Sequence, residues 1–133
     1  MQHDPLTHEI IGAALEVHRL LGPGLLESAY EECLAHELSI RKLEFRRQVP
    51  VPVVYKGVKL ECGYRIDILV AGSVVLELKS IEAIAPVHEA TLLTYLRLSG
   101  NTLGLIINFN VPILKEGIRR FVLKHNEAQT ELR

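Results

Sequence analysis

No tryptophan, two cysteines and a single methionine occur in these 133 residues, and aromatic side chains make up only 5% of them. Each scarcity removes a class of protein. Cys33 and Cys62 lie outside any C-x-x-C or Cys/His cluster, which argues against a structural zinc site and a disulfide framework. Both are expected as buried free thiols, Cys33 in a helix and Cys62 in a strand. No uncharged run approaches the ~18 residues of a membrane span. The opening MQHDPLTHEI has neither the basic nor the apolar region of a signal peptide, so a cytoplasmic protein without membrane attachment is expected. A formal net charge of −1 gives no global field to gather a polyanion, so nucleic-acid binding would need a local patch. The phosphate-cradling G-x-x-x-x-G-K-[ST] loop is missing, and Gly22-Pro23-Gly24 does not satisfy the dinucleotide fingerprint. There is no H-E-x-x-H among the six histidines and no G-x-S-x-G elbow. No nucleotide-cofactor residues are therefore assigned.

What is present is an ordered alternation of helical and extended texture, within a length that suits one domain over residues 1–133. Asp4-Pro5 reads as an N-cap followed by proline at the first helical position, and Leu6, Ile10, Ala13, Ala14 and Val17 recur at helical spacing. Gly22-Pro23-Gly24 ends this helix. A second begins near Leu25 or Leu26, with Leu26, Ala29, Tyr30, Cys33, Leu34 and Leu38 as its apolar stripe and Glu31 and Glu32 outside it. From Gln48 the chain turns to β-branched residues, with a hairpin turn at Lys56-Gly57; Pro50 and Pro52 confine the first strand to a sheet edge. Pro86 opens a third helix that Gly100 closes, and Leu103 to Phe109 reads as a strand buried on both faces. A last short strand is assigned within Ile113 to Leu123, and the tail from Lys124 is expected to fray. The order α-α-β-β-β-α-β-(β/α) predicts a mixed sheet flanked by helices, with a parallel crossover from Val74 to Phe109.

One hairpin, YRIDILVAGSVVLELK from Tyr64 to Lys79, carries charges inside apolar runs. Strand parity puts Arg65, Asp67 and Leu69 on one face and Ile66, Ile68 and Val70 on the other; in the second strand Val75, Glu77 and Lys79 share a face. If Ala71, Gly72 and Ser73 form a three-residue loop, Val70 pairs with Val74 and Asp67 falls across from Glu77. A two-residue turn would put the carboxylates on opposite faces. Opposed like charges at roughly 4.5–5.5 Å destabilise a sheet, and a divalent cation between them removes that penalty. Magnesium prefers oxygen ligands, so Asp67, Glu77 and the Leu78 carbonyl would hold Mg²⁺ (or Mn²⁺) while a substrate phosphate completes its shell. Lys79, two residues beyond Glu77, would be a cation that steadies an attacking water and the developing charge. The bland alternative is an Asp67 paired with Arg65 or Lys79 on a solvated sheet face.

Gly24, Glu27 and Tyr30, in GLLESAY, match a G-x-x-E-x-x-Y signature, and Asp67 with Glu77-Leu78-Lys79 matches the core of the PD-(D/E)xK nucleases. The chain thus resembles the GxxExxY family of the PD-(D/E)xK nuclease superfamily over nearly its full length, from the first helix through LLTYLRLSG and GLIINFNVP. The resemblance implies a restriction-endonuclease-like three-layer α/β/α fold and a metal-dependent hydrolase of DNA or RNA phosphodiesters. It also implies that Glu27 reaches the same pocket as an acidic ligand or water-orienting group, with Tyr30, Thr91 and Tyr95 in support. Without it, an acid in a helix's first turn favours the macrodipole, and Tyr30, Tyr95 and His88 read as core or rim residues. Thr91 is a departure: similar proteins usually have glutamine there, and threonine lacks the amide's paired donor and acceptor. A second reading is an inactive nucleic-acid-binding module using Arg41, Lys42, Arg46, Arg47, Arg119, Arg120 and Lys124; a third is a protein-interaction or homo-oligomeric scaffold with an exposed apolar edge.

Overall fold

A computed structural model describes residues 4–124. Helix α1 (Pro5–Leu21) starts where its sequence sets the cap: Asp4 Oδ1 accepts the Leu6 N–H at 3.1 Å and Oδ2 the Thr7 hydroxyl at 2.7 Å. Gly22 ends it at φ 67. Helix α2 (Glu27–Ile40) follows the glycine-proline break. Its buried face is turned from the expected stripe: Tyr30, Glu31, Leu34, Ala35 and Leu38 are buried, while Leu26 and Cys33 are exposed. Tyr30, Leu34 and Leu38 pack with α1 as expected, while the shift buries Ala35 and Glu31, the latter neutralised by strand partners that the helix alone could not reveal. Cys62 is also exposed, on a loop, so neither thiol is the buried group expected.

Strand β1 (Phe45–Pro50) begins three residues before the texture change at Gln48. The short β2 (Val53–Tyr55) and β3 (Val58–Leu60) form a separate two-stranded ribbon around the Lys56-Gly57 turn, where both residues have positive φ. Strands β4 (Arg65–Val70) and β5 (Val74–Lys79) follow, then helix α3 (Pro86–Ser99), β6 (Leu103–Asn108), a 3₁₀ turn at Leu114–Gly117, and β7 (Ile118–Val122). Five strands rather than three separate α2 from α3. Prolines 50 and 52 cannot donate ladder bonds, so the extended stretch breaks between β1 and β2.

The main sheet has the order β1-β4-β5-β6-β7, with β1 at the expected edge and β5 parallel to β6 across the α3 crossover. Helices α1 and α2 pack on one face over Ile68, Val70, Leu76, Leu78, Leu105 and Ile107. On the other, α3 packs Leu92, Tyr95 and Leu96 over Leu69, Val75 and Ile106. Gly104 permits this close approach: a Cβ there would meet Leu92 Cδ1 at 2.9 Å. The three-layer α/β/α arrangement with a mixed central sheet is that of the restriction-endonuclease-like fold. No helix among the described residues is long and apolar enough to cross a membrane. The tail expectation concerns residues mostly outside those described.

Candidate active site

Strands β4 and β5 are joined through Ala71-Gly72-Ser73, and the pairing Val70↔Val74, Leu69↔Val75, Ile68↔Leu76 is the three-residue-loop register. Beyond Ile68↔Leu76 the ladder ends. Asp67 and Glu77, next in that register, are not a ladder pair; instead Asp67 Oδ2 accepts the backbone N–H of Leu78 at 2.8 Å. Side-chain alternation breaks at the same point, because Ile66 packs with Leu69 and Val75 toward α3, away from Ile68 and Val70. The expected face for Ile66 is therefore corrected. A carboxylate has entered the space between two strands, and the backbone turns to admit it.

Glu77 is only 7% exposed, and its Oε2 has no hydrogen-bond partner among the described residues. Burial, reinforced by the charge of Asp67 and opposed by Lys79, pushes its pKa from 4.5 up to about 9. Asp67 is also raised, first by burial, with the Leu78 N–H working against it, Glu31 adding to it and Lys79 opposing it. Two acids with raised pKa values at one strand end are an arrangement that needs a positive partner. Lys79 is half-buried and enters no ion pair among the described residues.

Glu27 opens α2 and is exposed; its Oε2 accepts the Ser80 N–H at 3.4 Å, immediately beyond Lys79. The rest of its motif has a structural explanation. Gly24 has φ 100, which only glycine adopts without strain. Tyr30 is fully buried, stacks on Phe109 at 4.4 Å, donates its hydroxyl to Gly22 O at 2.5 Å and accepts the Leu25 N–H at 3.2 Å. Ser80 Oγ then donates to Leu25 O at 2.6 Å, pinning the loop before α2 to the end of β5. Tyr30 thus positions Glu27 through backbone and does not itself join the acids.

Sequence reasoning missed Glu31, one helical turn beyond Glu27 on the same face of α2. It is 8% exposed; Arg47 Nε donates to its Oε2 at 3.0 Å and Gln48 Nε2 to its Oε1 at 3.0 Å. Gln48 has the left-handed φ of 51 and interrupts the β1–β4 ladder between Arg47↔Ile68 and Val49↔Ile66, opposite Asp67. The spacing from Glu27 was the available signal; the strand partners lie 16 and 17 residues away and give none.

Tyr95, 8% exposed, meets Tyr64 edge-on at 6.0 Å, and its phenol pKa is raised by burial and then by the charge of Glu77. Thr91 is turned to its own helix, donating to Val87 O at 2.9 Å. His88 accepts the Ala85 N–H through Nδ1 at 2.8 Å, a helix-start role. The basic residues do not form one patch. Arg46 and Arg47 lie on β1 and Arg119 and Arg120 on β7, the opposite edges of the sheet. Arg41 bridges Glu9 and Glu37, and Arg47 bridges Glu31 and Glu32.

The donor set fits a hard divalent cation. Glu77 offers an unpartnered buried oxygen beside a second carboxylate, and oxygen donors of this kind suit Mg²⁺ or Mn²⁺ better than softer metals. No group of three or more His, Cys, Asp or Glu side chains is gathered for a metal among the described residues, although the charge of Glu27 reaches Asp67 and adds to the rise of its pKa. The apolar groove of about 380 Å³ between α1 and α2 includes none of these acids.

No curated protein and no solved structure gave a significant match to this chain. A family model described as the PD-(D/E)XK nuclease superfamily matches residues 4–121. With that span covering the helices, the mixed sheet and the acids at the end of β4 and β5, the chain belongs to the PD-(D/E)XK nuclease superfamily.

Proposed function

We propose that this chain hydrolyses phosphodiester bonds of DNA or RNA with Mg²⁺ or Mn²⁺, through Asp67, Glu77 and Lys79. The observation that carries the proposal is the buried Glu77 with its unpartnered Oε2, raised to about 9 beside Asp67, two residues before a lysine. A group so poised accepts a cation readily, because metal binding replaces the proton. Asp67, Glu77 and the Leu78 carbonyl would hold the metal. When bound, it supplies Lewis acidity at the phosphoryl oxygen and a more acidic water. Glu27 orients the attacking water from the start of α2, and the Lys79 ammonium stabilises charge developing on the phosphoryl oxygens. Tyr95 closes the α3 side of the pocket and limits water around Glu77.

Labelled single- and double-stranded DNA and RNA, incubated with purified protein and Mg²⁺ or Mn²⁺, test this. Cleavage should stop with chelator and with Asp67→Ala or Glu77→Ala, and fall roughly 10²–10³-fold with Lys79→Ala. Undiminished cleavage by the variants would overturn the site assignment. The Thr91 hydroxyl, engaged with its own helix, favours one second reading, an inactive binding module. It requires salt-sensitive, metal-independent nucleic-acid binding without cleavage.

A further inference from the structure

The β2–β3 ribbon has no place in the core. It is hydrogen-bonded to neither edge of the main sheet, and Val54, Tyr55, Val58 and Leu60 are between 41% and 60% exposed. A two-stranded ribbon is marginally stable alone in water, so this apolar exposure calls for a partner. We propose that the ribbon is an arm that enters the major groove of B-form duplex DNA and carries a phosphodiester toward Asp67 and Glu77; this rests on the nuclease reading above and narrows its substrate to duplex DNA.

Charge selects the partner. From Val53 to Arg65 the chain has Lys56, Lys59 and Arg65 against a single acid, Glu61, although the whole protein carries −1. All four are exposed, and Lys59 and Arg65 enter no ion pair among the described residues. A second copy of the ribbon would bring the same lysines together and repel. A polyanion neutralises them and releases counterions.

Shape selects the duplex. The register Val53↔Leu60, Val54↔Lys59, Tyr55↔Val58 puts Val53, Tyr55, Val58 and Leu60 on one face and Val54 and Lys59 on the other, and both faces are open at the tip. A groove contacts both faces of a ribbon. The B-form major groove, ~12 Å wide and ~8.5 Å deep, admits a two-stranded ribbon, and apolar side chains there meet thymine methyls. The four residue-to-residue steps from Val51 to Tyr55, at ~3.3 Å each, reach about 13 Å, enough to touch base edges. The A-form major groove is too deep and narrow for it.

Position completes the case. The arm leaves the sheet between β1 and β4, where Val51 N donates to Tyr64 O at 2.9 Å, and Tyr64 rests on Tyr95. Asp67 follows Tyr64 by three residues. A strand of DNA held by the arm therefore runs past the acids.

Binding of labelled duplex DNA to the cleavage-silent Glu77→Gln protein is measured by anisotropy against salt, with Tyr55→Ala or Lys56→Ala/Lys59→Ala added. The lysine pair should weaken binding about tenfold and reduce the slope of log K against log salt by roughly 2. Single-stranded DNA and double-stranded RNA should bind at least about tenfold more weakly than the duplex, and in cleavage-competent protein the same ribbon variants should raise KM and leave kcat unchanged. Unchanged affinity and slope, or equal binding of single strands or double-stranded RNA, would overturn the proposal. So would a dimer in sedimentation that the ribbon variants dissociate, since a second copy would then occupy the ribbon. Ribbon-dependent binding without cleavage by the parent protein would remove the nuclease reading alone. Cleavage indifferent to the ribbon variants would remove the arm alone.

Discussion

The two ends of one hairpin make opposite use of the same backbone. Near the loop, Ile68 to Val70 and Val74 to Leu76 pair in regular register, and all six side chains are buried and apolar. At the far end the ladder stops, Asp67 takes a backbone N–H, and Glu77 is buried with an unpartnered oxygen. The regular end supplies stability by excluding water. Because it is rigid, the other end can hold two acids that an isolated hairpin would expel.

Replacing Glu77 tests that division most severely. Its folded pKa of about 9 lies above its ordinary 4.5, so between those values the folded chain keeps a proton that the unfolded chain has lost. The contribution of Glu77 to stability is therefore fully present below about 4.5 and is lost as pH rises toward about 9. Glu77→Gln should flatten this dependence in denaturation curves while cleavage drops to background. Mg²⁺ should raise the Tm of the parent protein more at alkaline than at acid pH and leave that of Glu77→Gln unmoved. A parent protein with no loss of stability across this window would erase the contrast between the two ends.

The clamp behind the acids comes next. Glu31→Gln removes the charge that Arg47 and Gln48 hold beside Asp67, and metal affinity or activity should fall roughly 10–100-fold. Calorimetric Mg²⁺ titration separates this from simple loss of fold; an unchanged affinity would make Glu31 purely structural. Tyr30→Phe should cost about 1 kcal/mol in urea unfolding, by leaving Gly22 O and Leu25 N without their hydroxyl partner, with kcat changed far less than by Lys79→Ala. The smallest effect is expected from Thr91→Gln, where a longer amide in place of a hydroxyl bonded to Val87 should alter kcat/KM by a factor of a few without changing metal affinity.

Local chemistry explains why so much was legible in the sequence. Asp4-Pro5, Gly22, Lys56-Gly57 and Gly100 are punctuation whose cause lies within a few residues, and each does in the structure what its type dictates. The three-residue loop fixed the register and so the company of Asp67 and Glu77. What escaped was set at a distance. Glu31 is buried because Arg47 reaches it, Ile66 changes face because the strand turns at Asp67, and Gln48 is left-handed in a strand where nothing local demands it. The rotated face of α2, which exposes Cys33, follows from packing on α1 rather than from its own weak periodicity.

The two exposed thiols are also natural reporters. Cys33 rides on a helix anchored by Tyr30 and Leu34, whereas Cys62 lies at the foot of the ribbon, two residues before Tyr64. One thiol thus marks the body and the other the arm. Labels on this unaltered pair would convert any swing of the ribbon on meeting DNA into a change of distance, and oxidation or alkylation of Cys62 would be slowed by a duplex that leaves Cys33 as reactive as before.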